Sequence, residues 1–340
     1  YEPISGNYNI RLDANESPFD IAKDLKKDVL KAIENINFNR YPNSDAKELR
    51  LAAADYFGVN EECLAAGNGS DELISVIISS FAQKGSSVMV VEPDFSMYKF
   101  YSSLCEMRVL TINKDKNGDI SADEIIKSLR EQKPDIFIFS NPCNPTGRGI
   151  CAESVIKIIK ECEDTLIVVD EAYMDFWNQS VVKYAVNATN VMVLRTCSKA
   201  FGLAGIRLGF VIANSELISY VNRARSPYNI NSVTQAVGKI VLENKKYLNE
   251  LTEEIINSKN ELEKELRALA EKYRGEFEVT ETVTNFCIVT TKDGERIFEE
   301  LKRNSVSVRF FASTGVMRIT AGTAEENKIF LNIFEKILIS

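Results

Sequence analysis

The stretch TLIVVD, residues 165–170, is a short apolar run rich in β-branched residues that ends in an aspartate. Four similar runs lie around it: SVMVV (87–91), DIFIFS (135–140), VMVLR (191–195) and LGFVI (208–212). Nearly continuous apolar runs of this length are typical of strands buried on both faces of a parallel or mixed sheet. Helical patterns separate them at 71–82, 121–131 and 151–162. The middle of the chain therefore predicts an α/β fold with crossover connections.

The two ends of the chain have a different pattern. An amphipathic helix is predicted over residues 20–36, and one long helix or two in succession over 233–272. Strand-like runs then alternate with helical patterns: FEVT, NFCIVTT, VSVRF and VMRIT, with helices at 294–304 and 323–338. We therefore predict a large α/β domain over 41–240 and a smaller α+β domain that residues 1–40 and 241–340 form together.

Composition limits the class of partner. The chain has 340 residues, which suits two packed units, and its formal net charge of −8 argues against a nucleic-acid partner. None of its seven cysteines forms a C-x-x-C pair, no apolar run reaches membrane length, and no signal peptide is recognisable. We expect a cytoplasmic protein with reduced cysteines and no membrane partner.

The absence of histidine excludes several classes of enzyme. Ser-His-Asp hydrolases, Cys-His hydrolases and His-ligated zinc sites all need that residue. Acid–base chemistry near neutral pH must then come from Lys, Tyr, Cys or a carboxylate. A lysine with a lowered pKa is the leading candidate.

The segment NKDKNGDISADE, residues 113–124, has the spacing of a calcium-binding loop, with Gly118 at its sharp turn. However, its first residue is Asn113, and no second such loop follows. We favour the alternative, a strand-to-helix turn in which Ser121 caps the helix and Glu124 closes a capping box. No metal site is expected.

Two Gly- or Pro-containing segments are candidate ligand loops. In AAGNGSDELI (65–74), two glycines precede a helix whose first N–H groups, those of Ser70 and Asp71, can bind an anion. A helix cap after a turn explains this segment equally well. In FSNPCNPTG (139–147), prolines fix a loop around Asn144, which a structural turn also explains. Each segment alone is a weak signal.

Two further segments carry charge into apolar surroundings. Asp170 ends a predicted buried strand, either as a helix N-cap or at the edge where open α/β sheets bind ligands, and Tyr173 follows three residues later. RTCSKAFGLAGIRLGF (195–210) sets Lys199 among Ala, Gly and apolar residues, where a charge needs a partner. A lysine beside an anion site, with an aspartate, a tyrosine and an asparagine, matches the requirements of pyridoxal phosphate (PLP).

Over nearly its whole length the sequence resembles the fold-type I PLP-dependent aminotransferases, and among them the histidinol-phosphate aminotransferases. The resemblance rests on ordered motifs: LDANES (12–17), RYPN (40–43), GNGSDE (67–72), EPDFSMY (92–98), SNPCNPTG (140–147), VVDEAYMDF (168–176), RTCSKAFGLAGIRLGF and MRITAGTAEEN (317–327). It implies a large domain with a mostly parallel sheet between helices, plus a smaller α+β domain. It also implies a homodimer that exchanges the amino group of histidinol phosphate with 2-oxoglutarate by a ping-pong mechanism. The products would be imidazole acetol phosphate and glutamate, in a step of histidine biosynthesis.

The resemblance also implies roles for individual residues around PLP. Lys199 would be the Schiff-base lysine, and Asp170 would face the pyridine nitrogen. Asn144 and Tyr173 would bind the 3′ oxygen of the ring, and Phe95 would stack on its face. The phosphate would be held by the backbone N–H groups of Ser70 and Asp71, the hydroxyls of Thr196 and Ser198, and Arg207.

Further residues are implied at the substrate. Arg318 would bind the carboxylate of glutamate, and Arg309 would help with the phosphate of histidinol phosphate. Tyr41 would bind the cofactor from the partner subunit. Asn15 and Glu16 would border the site. Two features depart from the family. The connection from Arg309 to Arg318 is shorter than usual, and the segment before LDANES is brief, so a tyrosine that the family uses on substrate is Tyr1, Tyr8 or absent.

Three alternatives stay open at this point. A broad aromatic amino-acid aminotransferase is close, because an apolar cup with two arginines also accepts an aromatic side chain. A threonine-phosphate decarboxylase would use the same cofactor, although such relatives tend to lack the GSDE and SKAFGLAG motifs. A non-catalytic binding protein on this fold would not need Lys199, Asp170 and Tyr173 together.

Overall fold

The computed structural model describes residue 4 and residues 6–339. Its strands are β1 (Ile10–Leu12), β2 (Leu64–Gly67), β3 (Ser87–Glu92), β4 (Arg108–Asn113), β5 (Ile136–Ser140), β6 (Leu166–Asp170), β7 (Val191–Thr196), β8 (Gly209–Ile212), β9 (Phe277–Thr280), β10 (Phe286–Thr291), β11 (Val306–Phe311) and β12 (Val316–Thr320). Every strand-like run quoted above forms a strand. Tyr1 lies outside the described residues.

The helices also follow the predicted pattern. They are α1 (Lys23–Glu34), α2 (Lys47–Phe57), α3 (Gly69–Phe81), α4 (Met97–Leu104), α5 (Ala122–Gln132), α6 (Ala152–Glu161), α7 (Val182–Ala185), α8 (Ser215–Ala224), α9 (Ser232–Glu243), α10 (Lys245–Lys272), α11 (Gly294–Arg303) and α12 (Ala324–Ile339). The helical stretch 233–272 is two helices in succession, which meet at Asn244. Within residues 6–339, no helix is both long and apolar enough to cross a membrane.

A seven-stranded sheet forms the centre of the molecule, in the order β2-β8-β7-β6-β5-β3-β4. Its neighbours pair in parallel from β4 to β7, and β8 runs antiparallel to both β7 and β2. Apolar side chains from both faces enter two separate cores, one under α3, α4 and α8 and the other under α1, α2, α5, α6 and α9. The predicted mostly parallel sheet between helices is therefore confirmed.

A second sheet has five strands, in the order β1-β11-β12-β10-β9. We call it the small sheet, and the seven-stranded sheet the large sheet. Its core receives Leu262 and Leu266 from α10 and Phe330 and Phe334 from α12. Strand β1 pairs in parallel with β11, so the two ends of the chain meet in one sheet. Helix α1, which the predicted boundary groups with the chain ends, instead packs in the core of the large sheet.

The loop proposed above as a turn rather than a calcium site has the turn geometry. The Ser121 hydroxyl accepts from the Glu124 N–H, and the Glu124 carboxylate accepts from the Ser121 N–H, so the capping box is present. Asp119 is engaged by the guanidinium of Arg148 at 3.0 Å. Asp115 accepts two backbone N–H groups of its own loop.

Candidate active site

The candidate site lies where the parallel strands end. Ser140, Asp170 and Leu194 are neighbours in the register of β5, β6 and β7. The loops that follow these strands carry Asn144, Tyr173 and Lys199. Because parallel strands end at one edge of a sheet, residues far apart in sequence converge there, at the position where open α/β sheets bind ligands.

Asp170 is almost completely buried and has two hydrogen-bond donors. Its Oδ2 accepts from the hydroxyl of Tyr98 at 2.8 Å, and its Oδ1 accepts from the N–H of Ala172 at 3.0 Å. Burial raises the pKa of Asp170 to about 6, although both hydrogen bonds act in the opposite direction. A carboxylate held in this way is suited to face a cationic ring nitrogen.

Tyr98 is a site residue that the sequence reasoning missed. It is fully buried, and its ring lies edge-on to Phe95 with the ring centres 5.6 Å apart. The sequence did contain a signal for Tyr98, because this residue is the last of the motif EPDFSMY and follows Phe95 by one helical turn. The pairing with Asp170 could not be read from the sequence, because 72 residues separate the two positions.

Lys199 has the lowered pKa that the sequence led us to expect. Burial is the main cause and the guanidinium of Arg318 adds to it, which together lower the pKa of Lys199 to about 8. Its Nζ donates to the carbonyl oxygen of Ala14 at 2.9 Å and lies 5.9 Å from the ring centre of Tyr173. About half of this amine is thus neutral at pH 8, and a nucleophile or a proton carrier requires the neutral form.

Tyr173 and Asn144 are both held by residues of the small sheet or of the segment before α1. The side-chain amide of Asn15 donates to the hydroxyl of Tyr173 at 2.8 Å, and Asn15 is itself fixed by Thr320. Arg318 donates to the side-chain oxygen of Asn144. The structure therefore brings Asn15 to the tyrosine, and links the two sheets through the site.

An anion cradle lies at the start of α3. This helix begins at Gly69, so the N–H groups of Ser70 and Asp71 belong to its first turn. A Cβ on Gly209 would lie 2.3 Å from the backbone nitrogen of Ser70, so only glycine allows this approach. A Cβ on Gly69 would lie 2.7 Å from Nη2 of Arg207, which shows how closely the guanidinium covers the helix start.

Two hydroxyls complete the cradle. Nη1 of Arg207 donates to the Ser198 hydroxyl at 3.3 Å, and the Thr196 hydroxyl accepts from the Ser198 N–H at 3.2 Å. The side chain of Asp71 turns to Tyr101, whose hydroxyl donates to its Oδ2 at 3.0 Å. The cradle thus offers N–H groups, hydroxyls and a guanidinium, the donor set that a phosphate dianion needs.

A cleft between the two sheets is lined by Tyr98 and Asn144 of the candidate site. Arg309 and Arg318 are direct partners in the register of β11 and β12, so their side chains leave the same face of the small sheet and line this cleft. Phe95, Ile288 and Val316 supply apolar lining. The turn between β11 and β12 spans only residues 312–315, in line with the short connection seen in the sequence.

The predicted residues Glu16, Tyr8 and Tyr41 do not line the cleft. Glu16 is exposed, and Tyr8 is half-buried. Tyr41 is 82% exposed and stacks on Tyr228, with the ring centres 4.7 Å apart.

Arg195 opens the stretch that contains Lys199, and its charge is paired. Its guanidinium is buried between the carboxylates of Glu171 and Asp175 and lies over the ring of Phe57. Glu171 and Asp175 flank Tyr173 in the chain. The buried ion pairs therefore tie the segment after β6 to the end of β7, which fixes Asp170 and Lys199 relative to one another.

The residues present fit PLP. They include a buried carboxylate for a ring nitrogen, a lysine with a lowered pKa, and an anion cradle in which Gly69 and Gly209 leave room for the backbone and Arg207 to approach.

Replacing Lys199 with methionine is expected to stabilise the cofactor-free protein at pH 7. Because the folded state lowers the pKa of Lys199 from 10.5 to about 8, the unfolded chain binds this proton more tightly. The resulting penalty is about 3 kcal/mol below pH 8 and disappears as the pH rises towards 10.5. Urea unfolding of both proteins at pH 7 and at pH 10 measures the difference between their free energies of unfolding. If this difference does not shrink as the pH rises, packing rather than charge causes it.

A lysine, an aspartate and an anion cradle at this edge of the large sheet are the residues that a PLP-dependent aminotransferase requires. Comparison with known protein families supports this class. The family described as aminotransferase class I and II matches residues 8–334, so the chain belongs to the class I and II aminotransferases.

Individual relatives indicate which enzyme of this family the chain is similar to in sequence and fold. The chain is 37% identical to the histidinol-phosphate aminotransferase of Clostridium novyi (strain NT), over 98% of this chain and 92% of the relative. It is 38% identical to the enzyme of the same name from Clostridium kluyveri (strain ATCC 8527), over 98% and 94% of the two chains. A crystal structure of histidinol-phosphate aminotransferase from Sinorhizobium meliloti in complex with pyridoxal-5′-phosphate has the same fold. It gives a TM-score of 0.88 at 22% identity and covers 98% of this chain and 92% of that one.

Proposed function

We propose that this enzyme binds PLP and transfers the amino group between histidinol phosphate and 2-oxoglutarate, a step of histidine biosynthesis. The observation that carries the choice of substrate is the pair Arg309 and Arg318, which lie side by side on one face of the cleft. Guanidinium groups bind both carboxylate and phosphate in a bidentate manner. One pocket can therefore accept the phosphate of one substrate and the carboxylate of the other in turn.

The cofactor would be held by residues already described. Lys199 would attach it, Phe95 would cover the face of its ring, and Asn144 and Tyr173 would bind its 3′ oxygen. Its phosphate would be bound by Ser70, Asp71, Thr196, Ser198 and Arg207. When bound, PLP accepts the electron pair that remains when the α-hydrogen of the substrate leaves as a proton.

The residues around the reacting carbon then have separate tasks. Asp170 keeps the ring nitrogen protonated, because its negative charge favours the cationic form. Lys199 would take the proton from the α-carbon of the amino donor, and its pKa of about 8 suits this role. Arg318, which also donates to Asn144, orients the substrate relative to the ring.

Tyr98→Phe is expected to lower kcat about tenfold and to move the acid limb of the pH profile to higher pH. The hydroxyl of Tyr98 lowers the pKa of Asp170, so its removal raises that pKa and leaves less of the carboxylate ionised at a given pH. The profile of kcat from pH 5.5 to 8.5 measures this, with Tyr184→Phe in α7 as a control on a tyrosine whose ring contacts Lys160. An unchanged profile would contradict the role of Tyr98.

We further propose a cytoplasmic homodimer. Tyr41 is a large aromatic side chain that is 82% exposed in the single chain, which suits an interface residue. In the dimer, Tyr41 of the partner subunit would reach the phosphate end of the cofactor. All seven cysteines are free, which suits a reducing compartment.

A single-turnover experiment tests the function. Purified enzyme loaded with PLP is mixed with histidinol phosphate without a keto acid, and the visible absorption of the bound cofactor is followed. We expect rapid conversion to the pyridoxamine form at low substrate concentration. Equally good conversion by phenylalanine would favour a broad aromatic aminotransferase. Release of carbon dioxide from threonine phosphate, with no conversion by either amine, would indicate a decarboxylase.

A further inference from the structure

A second charged pair lines the cleft, on the side of the large sheet. Glu92 is the last residue of β3, and its carboxylate pairs with the Nζ of Lys99 in the first turn of α4. The side chains are 44% and 38% exposed, respectively. Both residues line the same cleft as Arg309 and Arg318. Nothing in the mechanism above uses them.

The position of the pair suits the far end of a substrate. Strand β3 lies two strands away from β6 in the sheet order, so Glu92 lies about 10 Å along the sheet edge from Asp170. Phe95, which covers the cofactor ring in the proposed function, lies between Glu92 and Lys99 in the chain. The pair is thus displaced sideways from the reacting centre, whereas the two arginines occupy the wall made by the small sheet.

Two charged groups near the pair, those of Lys114 and Asp115, are already engaged. The Nζ of Lys114 donates to the carbonyl oxygen of Pro93 at 3.0 Å. The carboxylate of Asp115 accepts the backbone N–H groups of Asn117 and Asp119. Glu92 and Lys99 are half-exposed instead, and an ion pair of this kind contributes little to stability. It can therefore open for a ligand at small cost.

The proposed function sets a problem that this pair can solve. A ping-pong transaminase accepts both amino donors in one cleft, and their side chains end differently. Histidinol phosphate ends in an imidazole ring, which offers N–H donors and is partly cationic near neutral pH. Glutamate ends in a carboxylate. A lone fixed cation would repel the first substrate, and a lone fixed anion would repel the second.

We propose that the Glu92–Lys99 pair recognises the side-chain ends of both substrates, which rests on the proposed function. The carboxylate of Glu92 accepts an N–H of the imidazole ring, and the ammonium of Lys99 donates to the side-chain carboxylate of glutamate or 2-oxoglutarate. Each ligand replaces one half of the ion pair. The two arginines bind the phosphate or the α-carboxylate, groups that occupy the same place in the two substrates.

Binding of non-reacting analogues tests this without turnover. Glutarate resembles glutamate without its amino group, and imidazolylpropyl phosphate resembles histidinol phosphate without its amino group. Their dissociation constants are measured by calorimetry on the PLP-loaded enzyme and on the variants Lys99→Met and Glu92→Gln. The same substitutions in the ion pair of Lys239 with Glu48, which joins α9 to α2, serve as matched controls.

We expect opposite effects from the two variants. Lys99→Met should raise the dissociation constant of glutarate about tenfold and change that of the imidazole analogue less than about twofold, and Glu92→Gln should do the reverse. Two results would overturn the proposal: no change for either ligand, or equal weakening of both ligands by both variants. Failure of the proposed function is a separate result, in which the unmodified enzyme does not convert histidinol phosphate in a single turnover.

Discussion

Lys199→Ala is expected to abolish transamination, with a loss of at least about 10⁴-fold in kcat. The variant loses both the group that attaches the cofactor and the group that moves the proton at the substrate α-carbon. No other lysine among the predicted site residues can take over, and the chain has no histidine. The visible absorption of the lysine-bound cofactor should disappear as well, which a spectrum of the dialysed protein measures.

Two controls separate chemistry from folding. Lys127→Ala removes an exposed lysine of α5 and should leave kcat and the spectrum unchanged. The thermal midpoint of cofactor-free Lys199→Ala should not fall much below that of the unmodified protein, because burial already disfavours the ammonium. If the absorption persists in Lys199→Ala, the attachment of the cofactor lies elsewhere and the assignment is wrong.

Asp170→Ala is expected to keep the cofactor but to lose about 10³-fold in kcat. The phosphate cradle and Lys199 are intact in this variant, so binding has most of its contacts. What is lost is the negative charge that keeps the ring nitrogen protonated, and with it the ability of the ring to accept an electron pair. Steady-state rates together with the cofactor content of the purified variant measure both halves of this expectation.

Asp164→Ala is the matched control, since Asp164 is an exposed carboxylate in the loop before β6. A variant Asp170→Ala with full activity would rule out the electron-sink role. A variant that is inactive because it holds no cofactor would assign Asp170 to binding rather than to the chemical step.

Much of the fold could be predicted because its signals are local. The strands β5, β6 and β7 are apolar except at their carboxyl ends, and such strands need a sheet that is covered on both faces. Strand β1 has only three residues and pairs with Val306–Val308 at the other end of the chain, so its stability is entirely tertiary. Helix α1 likewise has an amphipathic pattern that does not say which core it joins.

The candidate site also has a part that the sequence predicts and a part that it does not. Lys199, Asp170 and the cradle of Ser70 and Arg207 lie in motifs that the sequence displays, and the structure brings them together. Contacts between distant segments were beyond sequence reasoning. The hydroxyl of Tyr98 on Asp170 is one example, and the amide of Asn15 on Tyr173 is another. Both depend on how the layers pack, which no local pattern encodes.

The most direct test of the account is the initial rate of the complete reaction, measured with purified PLP-loaded enzyme, histidinol phosphate and 2-oxoglutarate. We expect glutamate and imidazole acetol phosphate in equal amounts. Double-reciprocal plots at several fixed concentrations of the second substrate should be parallel, as a ping-pong exchange through one cleft requires. No glutamate from histidinol phosphate, under conditions where phenylalanine yields it, would contradict the proposed substrate and leave an aminotransferase of different specificity.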